Sequence, residues 1–339
     1  MKKFIIKIIL FILPLSVFLI DGFLPVDTFA YRPWEALKYN NKNGVAFPFY
    51  PNQDLNMHSS GDLLHHTEHA IIKKEHWITD KLGYRNDVFV KKPNIVLIGD
   101  SFITGSGLTQ DSTLTNVLKN KLNTEVYNMA PASFNDFISL ISNNIIEKPK
   151  LVIFSKIERD IPAPIKDNVG EVHNRKASKF SIFKDKIIRL YSFKYLKARL
   201  KSKHGNGISG KTDSTMSFLN GKNQKYNYDE IDDIVKTIKS YKNYCKSIGA
   251  RFIFLPIPNK ETVYFDKIPL KKQPDFIPKL DALLSLNKVE VINTQNIFNQ
   301  YNKSNTKNLY HLDDTHWNFN GLELISKKII KLIGQNELH

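Results

Sequence analysis

"NIVLIGDSFITGSG", residues 94–107, decides the fold. Five largely apolar residues run straight into Gly-Asp-Ser, with no alternation of polar and apolar positions, and that is the texture of a strand covered on both faces. A buried strand that ends by presenting a small hydroxyl residue places that residue, Ser101, at the carboxyl edge of a sheet. Open α/β sheets keep their active sites along that edge.

The same texture recurs outward from this run. Apolar, β-rich stretches stand at 94–99, 125–129, 151–155, 251–257 and 289–293, and helical patterns lie at about 112–122, 134–147, 228–248 and 275–286, with a last one at 320–334. Alternation of this kind predicts a three-layer α/β/α sandwich around a five-stranded parallel sheet. The catalytic domain is expected to span 91–335. A segment at about 165–227, rich in Lys, Ser, Gly and Asn, interrupts the rhythm, and its "FKDKIIRLYSFKYLKARLKSK" (183–203) mixes apolar residues with cations at roughly helical spacing. It reads as a cap over the site, as a basic helix resting on an anionic membrane surface, or as an ordinary helix with a solvated basic face. Residues 25–90 lack clear periodicity and read as a linker and irregular edge region. His65 and His69 there have the spacing of one helix face, but no carboxylate completes a metal motif and surface histidines are the better reading.

The amino terminus, "MKKFIIKIILFILPLSVFLIDGFLP", is basic and then apolar from Phe4 to Ile20, broken by Lys7. That run gives about 26 Å of helix, near the lower limit for crossing a bilayer. Residues 1–24 are therefore expected to form an uncleaved transmembrane signal anchor, with a cleaved signal peptide or a buried core helix as the alternatives. Lys2 and Lys3 would hold its start inside, putting the catalytic domain on the extracytoplasmic face of the cytoplasmic (inner) membrane.

Whole-chain composition narrows the function classes. The 339 residues carry 49 Lys and Arg against 33 Asp and Glu, a formal charge of +16, which suits an anionic polymer or an anionic membrane surface as partner. No zinc pattern, arginine-rich tract or RNA-binding aromatic signature points to nucleic acid. A single cysteine, Cys245, rules out an intrachain disulfide and a cysteine-based metal cluster. "GDSFITGSG" has neither Gly-x-x-x-x-Gly-Lys nor Gly-x-Gly-x-x-Gly, so neither a nucleotide nor any other cofactor is expected.

A second stretch, "HLDDTHWNFNG" (311–321), supplies what Ser101 needs. A serine hydroxyl attacks well only when an imidazole takes its proton, and the imidazole works best when a carboxylate fixes its tautomer. His316 follows Asp313 by three residues and Asp314 by two, so one tight loop carries a base and a choice of orienters.

"IGDSF" with a distal Asp-x-x-His or Asp-x-His-Trp block resembles the SGNH, or GDSL-type, hydrolase superfamily. The Trp after the His, "ERD" at 158–160 and "PIPNKETVY" at 256–264 resemble more narrowly its alginate O-acetyltransferase branch. The resemblance implies Ser101 as nucleophile and, through its N–H, as one oxyanion donor, with His316 as general base. Its Asp-x-His-Trp pattern favours Asp314 over Asp313 as orienter, leaving Asp313 to cap the loop. Ala130 stands where the superfamily has a glycine whose N–H completes the oxyanion hole. Arg159 stands nearest the usual Asn and is expected to support an oxyanion or an anionic sugar, with a structural ion pair as the alternative. Trp317 is expected at the substrate. In alginate O-acetyltransferases the Asp-His block precedes the serine, whereas here the serine comes first, so alginate itself is not implied. The function expected is O-acetylation of a cell-surface or exported polysaccharide, served by a multi-pass membrane protein that delivers acyl groups. The alternatives are an esterase that releases acyl groups to water and a non-catalytic carbohydrate-binding scaffold.

Overall fold

In the computed structural model, which describes residues 2–38, 48–161, 178–200, 207–210, 215–219 and 228–334, the chain opens with a long helix α1 (Lys2–Phe23) and one turn of helix, α2 (Pro33–Ala36). An antiparallel pair follows, β1 (Asp54–Ser59) and β2 (Lys73–Ile78), inside the stretch read as linker. Then come β3 (Ile95–Ile98), α3 (Ser101–Thr104), α4 (Leu114–Leu122), β4 (Val126–Met129), α5 (Phe134–Ser142) and β5 (Leu151–Ile157). Within the interrupting segment stand α6 (Lys179–Arg189), α7 (Tyr191–Leu200) and a short antiparallel pair, β6 (Gly207–Ser209) and β7 (Ser217–Leu219). The rhythm resumes with α8 (Ile231–Ser247), β8 (Arg251–Ile257), α9 (Lys260–Val263), α10 (Phe276–Leu286), β9 (Glu290–Val291), α11 (Thr294–Ser304) and α12 (Phe319–Ile333).

Five of these strands form one parallel sheet in the order β4-β3-β5-β8-β9. The chain starts at β3, steps to β4 on one side and returns to β5 on the other. The order therefore reverses beside β3, and the crevice that such a reversal opens lies at its carboxyl end. Successive side chains point to opposite faces. Ile95, Leu97, Ile153 and Ile253 are buried against the layer that contains α4, α11 and α12. Val96, Ile98, Val152 and Phe254 are buried against α5, α8 and α10. Each such side chain contributes roughly 1.5–3 kcal/mol of burial, so the sheet is fixed from both faces and its edge is a rigid platform.

The helices end where polar side chains compete for their backbone. The pattern at 134–147 stops at Ser142 because Asn143 Nδ2 turns back to Ser139 O (2.8 Å) and Asn144 takes a left-handed φ of 54°. At 112–122 the helix begins at Leu114, with the Thr113 hydroxyl accepting from Asn116 N–H as its cap.

The transmembrane helix expected at 1–24 is corrected by the structure. Helix α1 forms, but among the described residues no helix is long and apolar enough to cross a membrane. Between Lys7 and Asp21 the apolar stretch is about 13 residues, roughly 20 Å of helix, against a hydrocarbon core of about 30 Å. Asp21 is buried and accepts from both Ser192 N–H and the Ser192 hydroxyl, each at 2.8 Å, and Lys186 Nζ donates to the carbonyls of Gly22 (3.0 Å) and Leu24 (2.7 Å). The last turn of α1 is thus built into α6 and α7, the described part of the basic segment. Residues 201–203 of that segment lie outside the described residues.

Candidate active site

Ser101 opens the one-turn helix α3, whose start and stop are both enforced. Asp100 is its N-cap: Oδ1 accepts from Phe102 N–H (3.0 Å), and Oδ2 reaches across to accept from Ile157 N–H at the end of β5 (2.8 Å). The Asp of "GDS" is therefore a brace between two strand ends. Gly105 stops the helix with a φ of +87°, and a Cβ there would also stand 2.9 Å from Thr113 Cγ2. As the first helical residue, Ser101 keeps its N–H unpaired among the described residues.

The loop from the other end of the chain meets it. Ser101 Oγ lies 2.7 Å from His316 Nε2, and His316 Nδ1 lies 2.6 Å from Asp314 Oδ1, which also accepts from His316 N–H (3.0 Å). Phe102 packs on the imidazole with ring centroids 4.6 Å apart. Asp314 is fully buried. Burial pushes its carboxyl up, but the charge and hydrogen bond of His316 outweigh this and, with Arg32 and Lys73, hold it well below the usual carboxylate range. Asp313 points the other way, accepting from Gly61 N–H (2.8 Å), Ile71 N–H (3.0 Å) and Lys73 Nζ (2.9 Å). Gly61 is required by that approach, since a Cβ would stand 1.9 Å from Asp313 O.

Lys260, which stands within "PIPNKETVY", holds the loop from below. Its buried Nζ donates to the carbonyls of His311 (2.6 Å), Leu312 (2.9 Å) and Asp314 (3.1 Å), and burial lowers its pKa to about 8 against the pull of Glu261 and Asp314. The motif quoted from the sequence contained this residue, but nothing in its spacing announced the job.

Two expectations at the rim, those for Ala130 and Trp317, read differently in the structure. Ala130 is buried and its N–H is already given to Asn128 Oδ1 (2.9 Å), so it has no donor to offer an oxyanion. The strand end folds back on its own amide there. Trp317 is not at a substrate surface. It bridges to Tyr310, stands edge-on to Phe102 at 5.5 Å and is wholly buried, because the chain alternates after His316 and turns the indole into the core. Arg159 follows β5 at the same edge as Ser101, is partly exposed, donates to Asn259 Oδ1 (3.1 Å) and makes no ion pair among the described residues. His65 is stacked on Tyr31 (3.8 Å) in a run of turns, so the helical spacing with His69 is not realised.

A carboxylate oxygen of Asp62, one of Asp314 and a ring nitrogen of His316 lie within 4.8 Å of one another. These donors are already spent: Asp62 on Thr315 and Arg32, His316 on Ser101 and Asp314. The arrangement suits proton transfer from a hydroxyl to an imidazole backed by carboxylates.

No family model matches the sequence, and no curated protein matches it. Solved structures do. One is a lipase/acylhydrolase from Enterococcus faecalis, 12% identical over 72% of this chain and 95% of that one, with a TM-score of 0.39. Another is an acetylxylan esterase from Geobacillus stearothermophilus, in a catalytic mutant, 13% identical over 72% and 94%, with a TM-score of 0.39. A member of the lipolytic G-D-S-L family from Veillonella parvula is 12% identical over 70% and 96%, with a TM-score of 0.38. Likenesses at this level concern the course of the chain, and the chemistry rests on the side chains described above.

Proposed function

We propose that this protein is a serine-dependent acyl-transfer enzyme acting on O-acyl esters. The observation that carries the reading is the unbroken hydrogen-bonded line Ser101 Oγ, His316 Nε2, His316 Nδ1, Asp314 Oδ1, with steps of 2.7 and 2.6 Å. Ser101 Oγ attacks the ester carbonyl as its proton passes to His316 Nε2. Asp314 stabilises the imidazolium. The tetrahedral oxyanion takes the unpaired Ser101 N–H, with Arg159 at the same edge as a charged second donor in place of Ala130. Collapse expels the alcohol, which leaves with the proton from His316, and an acyl group stays on Ser101. An acceptor hydroxyl gives its proton to His316 and takes the acyl group, which restores the serine.

For the acceptor we propose a sugar hydroxyl of a cell-surface or exported polysaccharide. Two features support this: the local motifs "ERD" and His-Trp resemble those of O-acetyltransferases, and a charge of +16 suits an anionic polymer. Water as acceptor gives an esterase with the same residues. An acyl donor supplied by a partner protein belongs to the transferase form alone.

The test is labelling by a fluorophosphonate followed by product analysis with acetyl ester, with and without glycan. Wild-type protein labels at Ser101, Ser101→Ala does not, and the variant loses turnover by several orders of magnitude. Acetylated glycan among the products identifies the transferase, and free acetate alone the esterase. No labelling of the wild type would sink the enzyme reading.

A further inference from the structure

The His316 loop is clamped by a carboxylate from the amino-terminal region that plays no part in the line just described. Asp62 Oδ1 accepts from Thr315 N–H (2.8 Å), and Oδ2 accepts from the Thr315 hydroxyl (2.7 Å) and from Arg32 Nη2 (2.5 Å). Asp62 N–H points at Asp314 Oδ2 (3.3 Å). Arg32 also reaches Glu35 (3.4 Å) and lies over the rings of Tyr31 and Trp34, at 5.6 and 5.8 Å from their centroids. Both members of the Arg32–Asp62 pair are largely shielded, with side-chain exposures of 15% and 17%.

We propose, resting on the serine acyl-transfer reading, that Asp62 with its counter-ion Arg32 is a positioning pair that fixes the histidine loop and sets how readily His316 takes the Ser101 proton. The charges explain the design. With His316 neutral, Asp314 and Asp62 carry two negative charges against the single positive charge of Arg32. Proton transfer from Ser101 makes the imidazolium and balances the cluster, so the fixed charges favour the moment of attack without moving. The distances are short enough for this to count. A carboxylate within about 4–6 Å of an imidazole raises its proton affinity appreciably, and Asp62 lies inside that range. Arg32 opposes it, which makes the pair adjustable in both directions. Burial and the Asp314 charge hold the Asp62 carboxyl above the usual carboxylate range, and Arg32, His316 and the Thr315 hydroxyl offset this only in part. The other charged or titratable groups facing the cluster are Glu35 beside Arg32, Lys73 and Asp313 on the loop side, and Lys260 and His311 behind the histidine loop.

The experiment measures kcat and KM for p-nitrophenyl acetate against pH, with thermal melting to establish folding. Asp62→Asn removes the charge but keeps an oxygen for Thr315 N–H. It is expected to lower kcat about tenfold with KM within twofold, and to move the acidic limb of the profile down by about one pH unit, since an imidazole without its carboxylate protonates later. Arg32→Met is expected to move the limb the opposite way. It also serves where Asp62→Asn does not fold. Thr315→Val removes one bond to Asp62 and no charge, and is expected to leave the limb in place. An unmoved limb in the charge variants overturns the proposal, as does a Thr315→Val shift equal to that of Asp62→Asn, which would make the role structural alone. Failure of the underlying reading is distinct: wild-type protein would then neither turn over the ester nor take fluorophosphonate at Ser101.

Discussion

Asp313 and Asp314 are adjacent, identical in chemistry and both buried, yet they do opposite work. Asp314 faces the imidazole at 2.6 Å, whereas Asp313 holds Lys73, Gly61 and Ile71. Their asparagine variants are therefore expected to separate activity from stability. Asp314→Asn leaves the loop's contacts largely in place but removes the charge that stabilises the imidazolium, and a loss of about four orders of magnitude in kcat is expected. Asp313→Asn leaves Lys73 without its partner in a shielded site, and breaking such a pair costs about 3 kcal/mol or more. The surviving folded fraction is expected to keep most of its kcat. Kinetics and denaturant melts of the two variants check this, and the assignment fails if Asp313→Asn is the one that loses turnover. The types and spacing of these residues were legible in "DDTHW" because here the base and its orienter share one tight loop, two residues apart. Arg32 and Asp62 were not, because a pair that acts across some 250 residues leaves no local pattern, and Ala130 misled because the sequence cannot show that an amide is already spent on Asn128.

At the scale of elements, what joins the strand ends matters as much as the strands. Glu158, in the turn after β5, is buried and accepts from Asn259 N–H (2.9 Å) and the Thr262 hydroxyl (2.6 Å), tying β5 to the turn after β8. Burial raises its pKa from the ordinary 4.5 to about 7, only partly offset by those two bonds. Between these values the native protein holds a proton that the unfolded chain has released, so stability falls as pH rises through the window. The contribution of the protonated group is complete below about 4.5 and lost above about 7. His65 and His311, both pushed down to about 4 by burial, slope the opposite way from there to 6.5, so the wild-type profile alone is a composite. The difference between wild type and Glu158→Gln isolates the term. It is expected to fall as pH rises from 4.5 to 7, by up to about 3 kcal/mol, in urea melts at several pH values; a flat difference refutes it. Four of the strands were readable because residues covered on both faces leave an apolar run, and the edge strand β9, with Glu290 and Val291 half-buried, was marked by the buried Val289 and Ile292 that flank it. Helix α11, "TQNIFNQYNKS", buries only a narrow stripe and carries polar residues elsewhere, so periodicity did not mark it. The pair β1 and β2, "DLNMHS" and "KKEHWI", escaped for a related reason: its one buried face alternates with charge, and Met57 and Trp77 on that face pack on Trp34, Leu37 and Phe49 rather than on the main sheet. Helix α1 was readable as a helix, but the span inferred from it counted the run from Phe4 through Lys7, and the stretch left between Lys7 and Asp21 is too short to cross a bilayer.

For the whole molecule the issue is whether the amino-terminal region is a separate unit or part of one cooperative body. The bonds across the junction argue for one body. Arg85 is fully buried, lies over Trp77 at 3.8 Å, and donates to the carbonyls of Thr104 (3.2 Å), Gly105 (2.7 Å), Leu108 (2.7 Å) and His76 (2.9 Å) and to Gln110 Oε1 (3.1 Å). One guanidinium thus fastens β2 to the turn that ends the Ser101 helix. The tryptophans make this measurable. Of the three in the chain, Trp34 and Trp77 are buried together in the amino-terminal region and Trp317 lies behind His316. In a Trp317→Phe variant, fluorescence reports the amino-terminal region alone, while far-ultraviolet circular dichroism reports mainly the helices of the sandwich. The two thermal transitions are expected to coincide, as two-state unfolding requires. Adding Arg85→Met strips donors from several buried acceptors at about 1–3 kcal/mol each. It is therefore expected to lower both midpoints together and to slow fluorophosphonate labelling of Ser101, because the helix that presents the serine loses its brace. A fluorescence transition that precedes the dichroism change, with Ser101 still reacting at its original rate, would make the amino-terminal region an appendage and leave Asp62 and Asp313 without a fixed frame to act from.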